Sequence, residues 1–332
     1  MTHWLCKNFS SIPQTEIQLT EKDYIHKKIQ QIWQYTSTTN DERDFTVNSK
    51  DTFDLPEGIE IIHPPLNNVP TSTSGIVAKC TSHHTLFISF RGSQETTDWK
   101  RNFLLMKKVP YKLDGFNQKK NILCRLFPKL CKEPEVHEGF YGDYTSVRAQ
   151  ILEKVDAHLK KYPQSKIYIT GHSLGAALAY ICSVDLYYAR AMKNICLLTF
   201  GSPRPGNEIF STSLDKKIEI RRVVNNRDIV CRIPLKIQGY HSYIIECLFT
   251  QDYEFHINTD NAPSFQRISA LEDLQKELLL IEQNGIENLQ LFKETLQKSN
   301  LLDVGADIID IPSINDHLRA SYKQAIFHND LP

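Results

Sequence analysis

A chain of 332 residues with 41% hydrophobic and 10% aromatic side chains can bury a large core as one α/β domain with insertions. Its 39 Lys+Arg balance 39 Asp+Glu, and a formal net charge of zero gives no electrostatic footing for nucleic acid, so no partner of that kind is expected. No apolar run is long enough to cross a bilayer, and Met1-Thr-His-Trp-Leu-Cys-Lys-Asn-Phe-Ser10 lacks the apolar stretch of a secretory signal, which predicts a protein that is cytoplasmic or exported without a recognisable leader.

In chain order, Lys22 to Tyr35 reads as a helix, with Tyr24, Ile25, Ile29, Ile32 and Trp33 on one stripe. Residues from about 41 to 74 are polar and proline-interrupted and read as loop. Ile76–Cys80 and Leu86–Phe90, separated by a polar turn at Thr81–His84, form a hairpin signal running into Arg91-Gly92-Ser93. Leu104 to Glu135 interrupts the pattern with a basic and apolar stretch. A helix over Phe140–Tyr162 follows, then a strand at Lys166–Thr170, a helix from Ser173 to about Arg190, and a strand at Ile195–Phe200. After a short helix near Glu208 comes a strand at Ile218–Val224. Alternating strands and helices require a mostly parallel sheet covered on both faces. Ser264 to Asn300 reads as two amphipathic helices broken at Asn284-Gly285.

The eight cysteines (Cys6, Cys80, Cys124, Cys131, Cys182, Cys196, Cys231, Cys247) contain no Cys-x-x-Cys pair and no metal-ligand spacing. Buried free thiols in a reducing compartment are the reading they favour, with a Cys124–Cys131 bridge as the alternative for an exported chain. No metal and no cofactor is expected.

The chemistry concentrates at Gly171-His172-Ser173-Leu174-Gly175, set between the Ile167 strand and the small-residue run Ala176, Ala177, Ala179. A strand that turns abruptly into a helix at a serine presents the hydroxyl in a strained conformation above a helix N-terminus. Free N–H groups and positive potential there favour the charge that develops when an ester carbonyl is attacked. A serine hydroxyl also needs a base, itself oriented by an acid. Asp228, reached through Asn225-Asn226-Arg227 after a strand, sits at the same sheet edge as Ser173. Asp185, inside the nucleophile's own helix, is the rival. For the base, His241, His256 and His317 all follow Asp228, and His317, on a loop ending at a helix N-cap, is best placed to reach over the sheet edge.

These segments resemble the class 3 lipases, the fungal-type triacylglycerol lipases with their plant and bacterial relatives. The resemblance rests on Ile88-Ser-Phe-Arg-Gly-Ser93, Asp98-Trp99, Val136-His-Glu-Gly-Phe140, Ile169-Thr-Gly-His-Ser-Leu-Gly-Ala176, Thr199-Phe-Gly-Ser-Pro-Arg-Pro-Gly-Asn207, Asn226-Arg-Asp-Ile-Val230 and Asp316-His317, in family order from about residue 76 to 322. It implies an α/β-hydrolase fold with helical insertions. Ser173 would be the nucleophile, Asp228 the orienting acid, His317 the general base, and Ser93 and Leu174 the oxyanion donors. Arg91 and His137 match structural positions. Cys231 stands where the family commonly has proline, and Gly239-Tyr240-His241 is shorter than the usual spacing.

The expected organisation is one domain over 1–332, with a core of about 76–263 and 313–328. Outside that core lie an N-terminal segment 1–75, an insertion 104–135 and a cap-like insertion 264–312. The family's lid aligns with Ser93–Phe103, a stretch more polar than a lid built to meet an oil droplet. The implied activity is carboxylic ester hydrolysis of glycerolipids, lipase or phospholipase A-like. The polar lid motivates a soluble short-chain ester or thioester hydrolase as alternative, and a non-catalytic binding protein on a hydrolase scaffold is the third reading. Lys119–Lys132 is a candidate for peripheral membrane contact, weighed against apolar residues that pack back onto the domain.

Overall fold

The computed structural model describes residues 21–39, 58–62, 64–92, 107–113, 115–116, 133–228, 230–234, 238–243, 246–258 and 315–328. The helices expected over 264–300, the lid segment Ser93–Phe103, the basic stretch Lys119–Lys132, and Cys6, Cys124 and Cys131 lie outside these residues.

The N-terminal helix α1 spans Glu21–Thr39. Three strands follow, β1 (Ile59–Ile61), β2 (Leu66–Asn68) and β3 (Thr73–Cys80), the last forming an antiparallel hairpin with β4 (Leu86–Phe90). The expected loop over 41–74 is therefore corrected: β1 and β2 are three-residue strands that both pair antiparallel with β3. Strands this short carry too little alternation to register in sequence, and they form because the edge of β3 opposite β4 is open, with β2 taking its N-terminal end and β1 its C-terminal end. The stretch expected as an insertion at 104–135 has its ends joined, since β5 (Lys108–Pro110) pairs antiparallel with β6 (Glu135–His137).

From there strand and helix alternate as the pattern requires: α2 (Glu138–Lys161), β7 (Ile167–His172), α3 (Leu174–Ala189), β8 (Ile195–Phe200), the short α4 (Glu208–Ser211) and β9 (Glu219–Asn225). The described chain ends with β10 (Glu246–Phe249), β11 (Phe255–Asn258), a 3-10 turn at Asn315–His317 and α5 (Arg319–Phe327). The main sheet runs β1-β3-β4-β7-β8-β9-β10-β11, with β2 also on β3. Each neighbouring pair from β4 through β10 is parallel. Those parallel strands bring their C-terminal ends to one edge, the edge where open α/β sheets place ligands.

Alternation along the strands splits the interior in two. Leu86, Ile88, Phe90, Ile167 and Ile169 face α2 and α3, while Phe87, Tyr168, Cys196, Leu198 and Phe200 face α1 and α5. Every residue of α3 from Leu174 to Leu186 is buried, so this helix is sandwiched rather than amphipathic. Helix α1 is mostly polar and would be marginal alone. Burial of Ile25, Ile29, Ile32 and Trp33 against the sheet holds it, at about 1.5–3 kcal/mol gross for each large apolar side chain. It also ties the chain ends together, since His26 Nε2 and Gln30 Nε2 both reach the Ile326 carbonyl of α5, at 2.9 and 3.1 Å.

Cys80, Cys182, Cys196, Cys231 and Cys247 are buried thiols that take part in no disulfide. No helix among the described residues is long and apolar enough to cross a membrane.

Candidate active site

Ser173 occupies the bend between β7 and α3 with φ 59° and ψ −126°. Such a conformation costs a non-glycine residue about 1–3 kcal/mol and persists only where its surroundings enforce it. The enforcement is steric. A Cβ on Gly171 would lie 2.3 Å from the Gly175 carbonyl, and one on Gly175 would lie 2.4 Å from the Phe90 oxygen. With two glycines, strand and helix backbones touch, and the intervening serine has nowhere else to go. Its N–H donates to the Phe200 carbonyl at 3.0 Å, which fixes the bend against β8. Ser173 is 3% exposed, and its Oγ is buried without a hydrogen-bond partner.

Asp228 lies just past β9, at the same sheet edge, and is fully buried. His317 Nδ1 lies 2.9 Å from each of its carboxylate oxygens. Val230 N–H donates to Oδ1 at 2.8 Å and the Tyr322 hydroxyl to Oδ2 at 2.7 Å. Burial alone would raise this carboxyl, but the charge and hydrogen bond of His317, with the Tyr322 hydroxyl, hold it below the ordinary carboxylate value. An ionised Asp228 accepts from Nδ1, so the ring carries its proton there and turns Nε2 away from the carboxylate.

His317 is 1% exposed and is positioned from behind by His172, the residue immediately before Ser173. The two imidazoles stack at 4.7 Å with 24° between planes, and His172 Nε2 donates to the His317 carbonyl at 3.0 Å. A carbonyl only accepts, which fixes the His172 tautomer. Burial, reinforced by the charge of His317, lowers His172 to about 3, so it stays neutral around pH 7. Backbone and amide bonds join the turn carrying His317 to the turn carrying Asp228. Asn225 Nδ2 donates to the Asp316 carbonyl at 2.9 Å, and Asn226 Nδ2 and Arg227 N–H donate to the Asp316 carboxylate at 2.9 and 3.1 Å. Gly201, at the end of β8 with φ +58°, leaves the space the pair occupies: a Cβ there would meet His317 Cε1 at 2.9 Å and Asp228 Oδ2 at 3.0 Å.

Of the residues singled out from sequence, Asp228 and His317 are thus in contact, and His317 stacks on the neighbour of Ser173. Leu174 opens α3, so its N–H is not used within the helix. Ser93 lies outside the described residues. The rivals are elsewhere: Asp185 accepts the Tyr144 hydroxyl and the Arg148 guanidinium, His256 lies in β11 near Glu254, and His241 bridges to Gly206. His137 caps α2, accepting from Phe140 N–H at 3.4 Å. Tyr322 went unnoticed in the sequence because nothing local marks a tyrosine five residues beyond a histidine as its partner's ligand.

A mostly parallel sheet, a serine at a strand–helix bend, and an Asp–His pair over the strand ends define the α/β-hydrolase fold. Residues 87–238 match the class 3 lipases. It is 31% identical over 172 residues to the lipase of Rhizomucor miehei, a match spanning 51% of this chain and 42% of that protein. The secreted mono- and diacylglycerol lipase 2 of Gibberella zeae is 30% identical over 132 residues, 36% of this chain and 32% of that one. The chain thus spans about two fifths or less of these curated relatives. Among solved structures, the Rhizomucor miehei lipase–propeptide complex superposes with a TM-score of 0.58 at 26% identity, over 72% of this chain and 70% of that one. A triacylglycerol lipase whose catalytic centre is a serine-protease triad superposes equally, TM-score 0.58 at 27% identity, over 72% and 84%.

Proposed function

We propose that the protein is a serine carboxylic ester hydrolase acting on glycerolipids, with Ser173 as nucleophile, Asp228 as orienting acid and His317 as general base. The observation that carries this reading is the buried Asp228–His317 pair, stacked through His172 against the strained serine. In the scheme, Ser173 Oγ attacks the ester carbonyl carbon while its proton passes to His317 Nε2. The C=O π pair moves onto oxygen, and the Leu174 N–H, joined by Ser93, faces the resulting oxyanion. Collapse re-forms the carbonyl and expels the alcohol, which takes the proton from Nε2. Water then repeats the sequence on the acyl-enzyme and restores the hydroxyl. Asp228 stays ionised throughout and stabilises the imidazolium. The bond from Oγ to Nε2 forms on substrate binding, as catalytic hydrogen bonds commonly tighten in the Michaelis complex.

Glycerolipid as substrate is favoured by the relatives, and export by those of them named as secreted. The test is hydrolysis of short and long p-nitrophenyl esters and of mixed glycerolipid vesicles, with fluorophosphonate labelling alongside. Wild-type protein turns over and labels, and Ser173→Ala does neither. Retained turnover in the variant would overturn the mechanism, and turnover confined to short soluble esters would overturn the substrate class.

A further inference from the structure

Helix α1 lies outside the residues matched to the family, yet one of its side chains packs on three residues that support the candidate site. The Trp33 indole lies parallel to the Tyr322 ring, at 5.9 Å and 14°, and stands edge-on to Phe200 at 4.7 Å and to His172 at 6.0 Å. Each of these neighbours holds a different member of the site. Tyr322 donates to Asp228, His172 carries the ring and carbonyl of His317, and the Phe200 carbonyl receives the Ser173 N–H. Trp33 itself is 3% exposed.

We infer that Trp33 is a positioning residue for the reaction: one rigid indole holds acid and base in register against a nucleophile fixed by its own bend, acting through Tyr322 and His172. The physical reason is the shape of the contact. A flat bicyclic ring against three aromatic neighbours fixes their orientations as well as their separations. Removing it opens a space beneath Tyr322 and His172, into which both rings can tilt. Tilt of Tyr322 moves its hydroxyl off Asp228 Oδ2, and tilt of His172 releases the His317 carbonyl. The reacting atoms remain present but lose their register. Ile25, eight residues earlier in the same helix and the same apolar cluster, is about 12 Å away along the helix axis and supplies the matched control.

The inference rests on the Ser173–His317–Asp228 reading, and the test separates the two. Trp33→Ala, Trp33→Phe and Ile25→Ala are compared with wild type for kcat and KM on p-nitrophenyl butyrate, under conditions where melting curves show all four folded. Trp33→Ala is expected to lower kcat by about tenfold or more with KM within about twofold, a register change short of an ångström. Trp33→Phe, which keeps a ring against Tyr322, recovers most of that loss. Ile25→Ala lowers the melting temperature while keeping kcat within about twofold of wild type. Wild-type kcat in Trp33→Ala, an equal loss in Ile25→Ala, or no recovery in Trp33→Phe would overturn the assignment. Should Trp33→Ala not fold, Trp33→Leu takes its place with the same thresholds. A wild-type protein that neither labels nor turns over would instead overturn the reading beneath it.

Discussion

Substituting Gly201 by alanine alters none of the candidate site residues, yet it presses on two of them, His317 and Asp228. The added Cβ would lie 2.9 Å from His317 Cε1 and 3.0 Å from both His317 Nδ1 and Asp228 Oδ2. Nonbonded carbon contacts settle at about 3.5–4.0 Å, so ring and carboxylate must retreat by about 0.5 Å. A misplacement of about 1 Å costs on the order of 10²-fold in rate, and half of that corresponds to about tenfold in kcat. The backbone adds its own strain, because φ at this residue is +58° and an L side chain there costs about 1–2 kcal/mol. That strain lowers the melting temperature by a few degrees, at about 2–4 °C per kcal/mol in a domain of this size. Steady-state kinetics on a short p-nitrophenyl ester, with a thermal melt of the same sample, reads both effects. A variant with lowered stability and undiminished kcat would refute the argument, since the imidazole would have tolerated displacement.

Replacing Asp228 by Asn removes the acceptor for Nδ1–H and offers a donor instead, which favours the wrong tautomer of His317; kcat on esters at neutral pH should fall by about 10⁴, and a loss under tenfold would exclude Asp228 from the orienting role. Stability should also fall on mild acidification. His137 and His172 are both lowered to about 3 by burial, so below about pH 6.5 the unfolded chain binds protons that the folded protein refuses. Each histidine then removes about 2 kcal/mol between pH 7 and pH 5, a loss that continues as pH approaches 3. Asp228, with its folded value depressed, contributes stability that is lost as pH falls from the ordinary carboxylate value through its own lower one. Urea midpoints that do not change between pH 7 and pH 5 would contradict this assignment.

The legibility of the chain followed the length and strength of each signal. β8 falls on Ile195–Phe200 as read, and α2, β7 and α3 lie within two residues of the periodic runs that announced them. The fold follows from those alternating elements because parallel strands demand crossover helices. Ser173 and Asp228 could be singled out because each stands at a strand's C-terminal end, a position the local pattern defines. His317 could only be ranked above His241 and His256, since what selects it is long-range: the Asp228 carboxylate lies 89 residues away in sequence. Tyr322, His172 as a brace, and the gap above Gly201 belong wholly to packing. β1 and β2 escaped because three residues cannot display a period of two convincingly.

The two halves of the candidate site are held by different physics. The placement of Ser173 is local: Gly171, Ser173 and Gly175 lie within five residues, and backbone contact between β7, α3 and β4 dictates the bend. That geometry survives anything short of unfolding the central sheet. His317 is held by contacts between segments distant in sequence, through Asp316 to Asn225 and Asn226, Tyr322 to Asp228, and the Ile326 carbonyl to His26 and Gln30 of α1. These contacts join α5 and its preceding turn to the rest of the fold without being part of the central sheet's ladder. An opening of α5 would therefore carry His317 away while leaving Ser173 in its strained conformation. Helix α1 guards against that event twice, by hydrogen bonds at the far end of α5 and by the Trp33 ring beneath Tyr322. A mostly polar helix is thus tied to the least local part of the site.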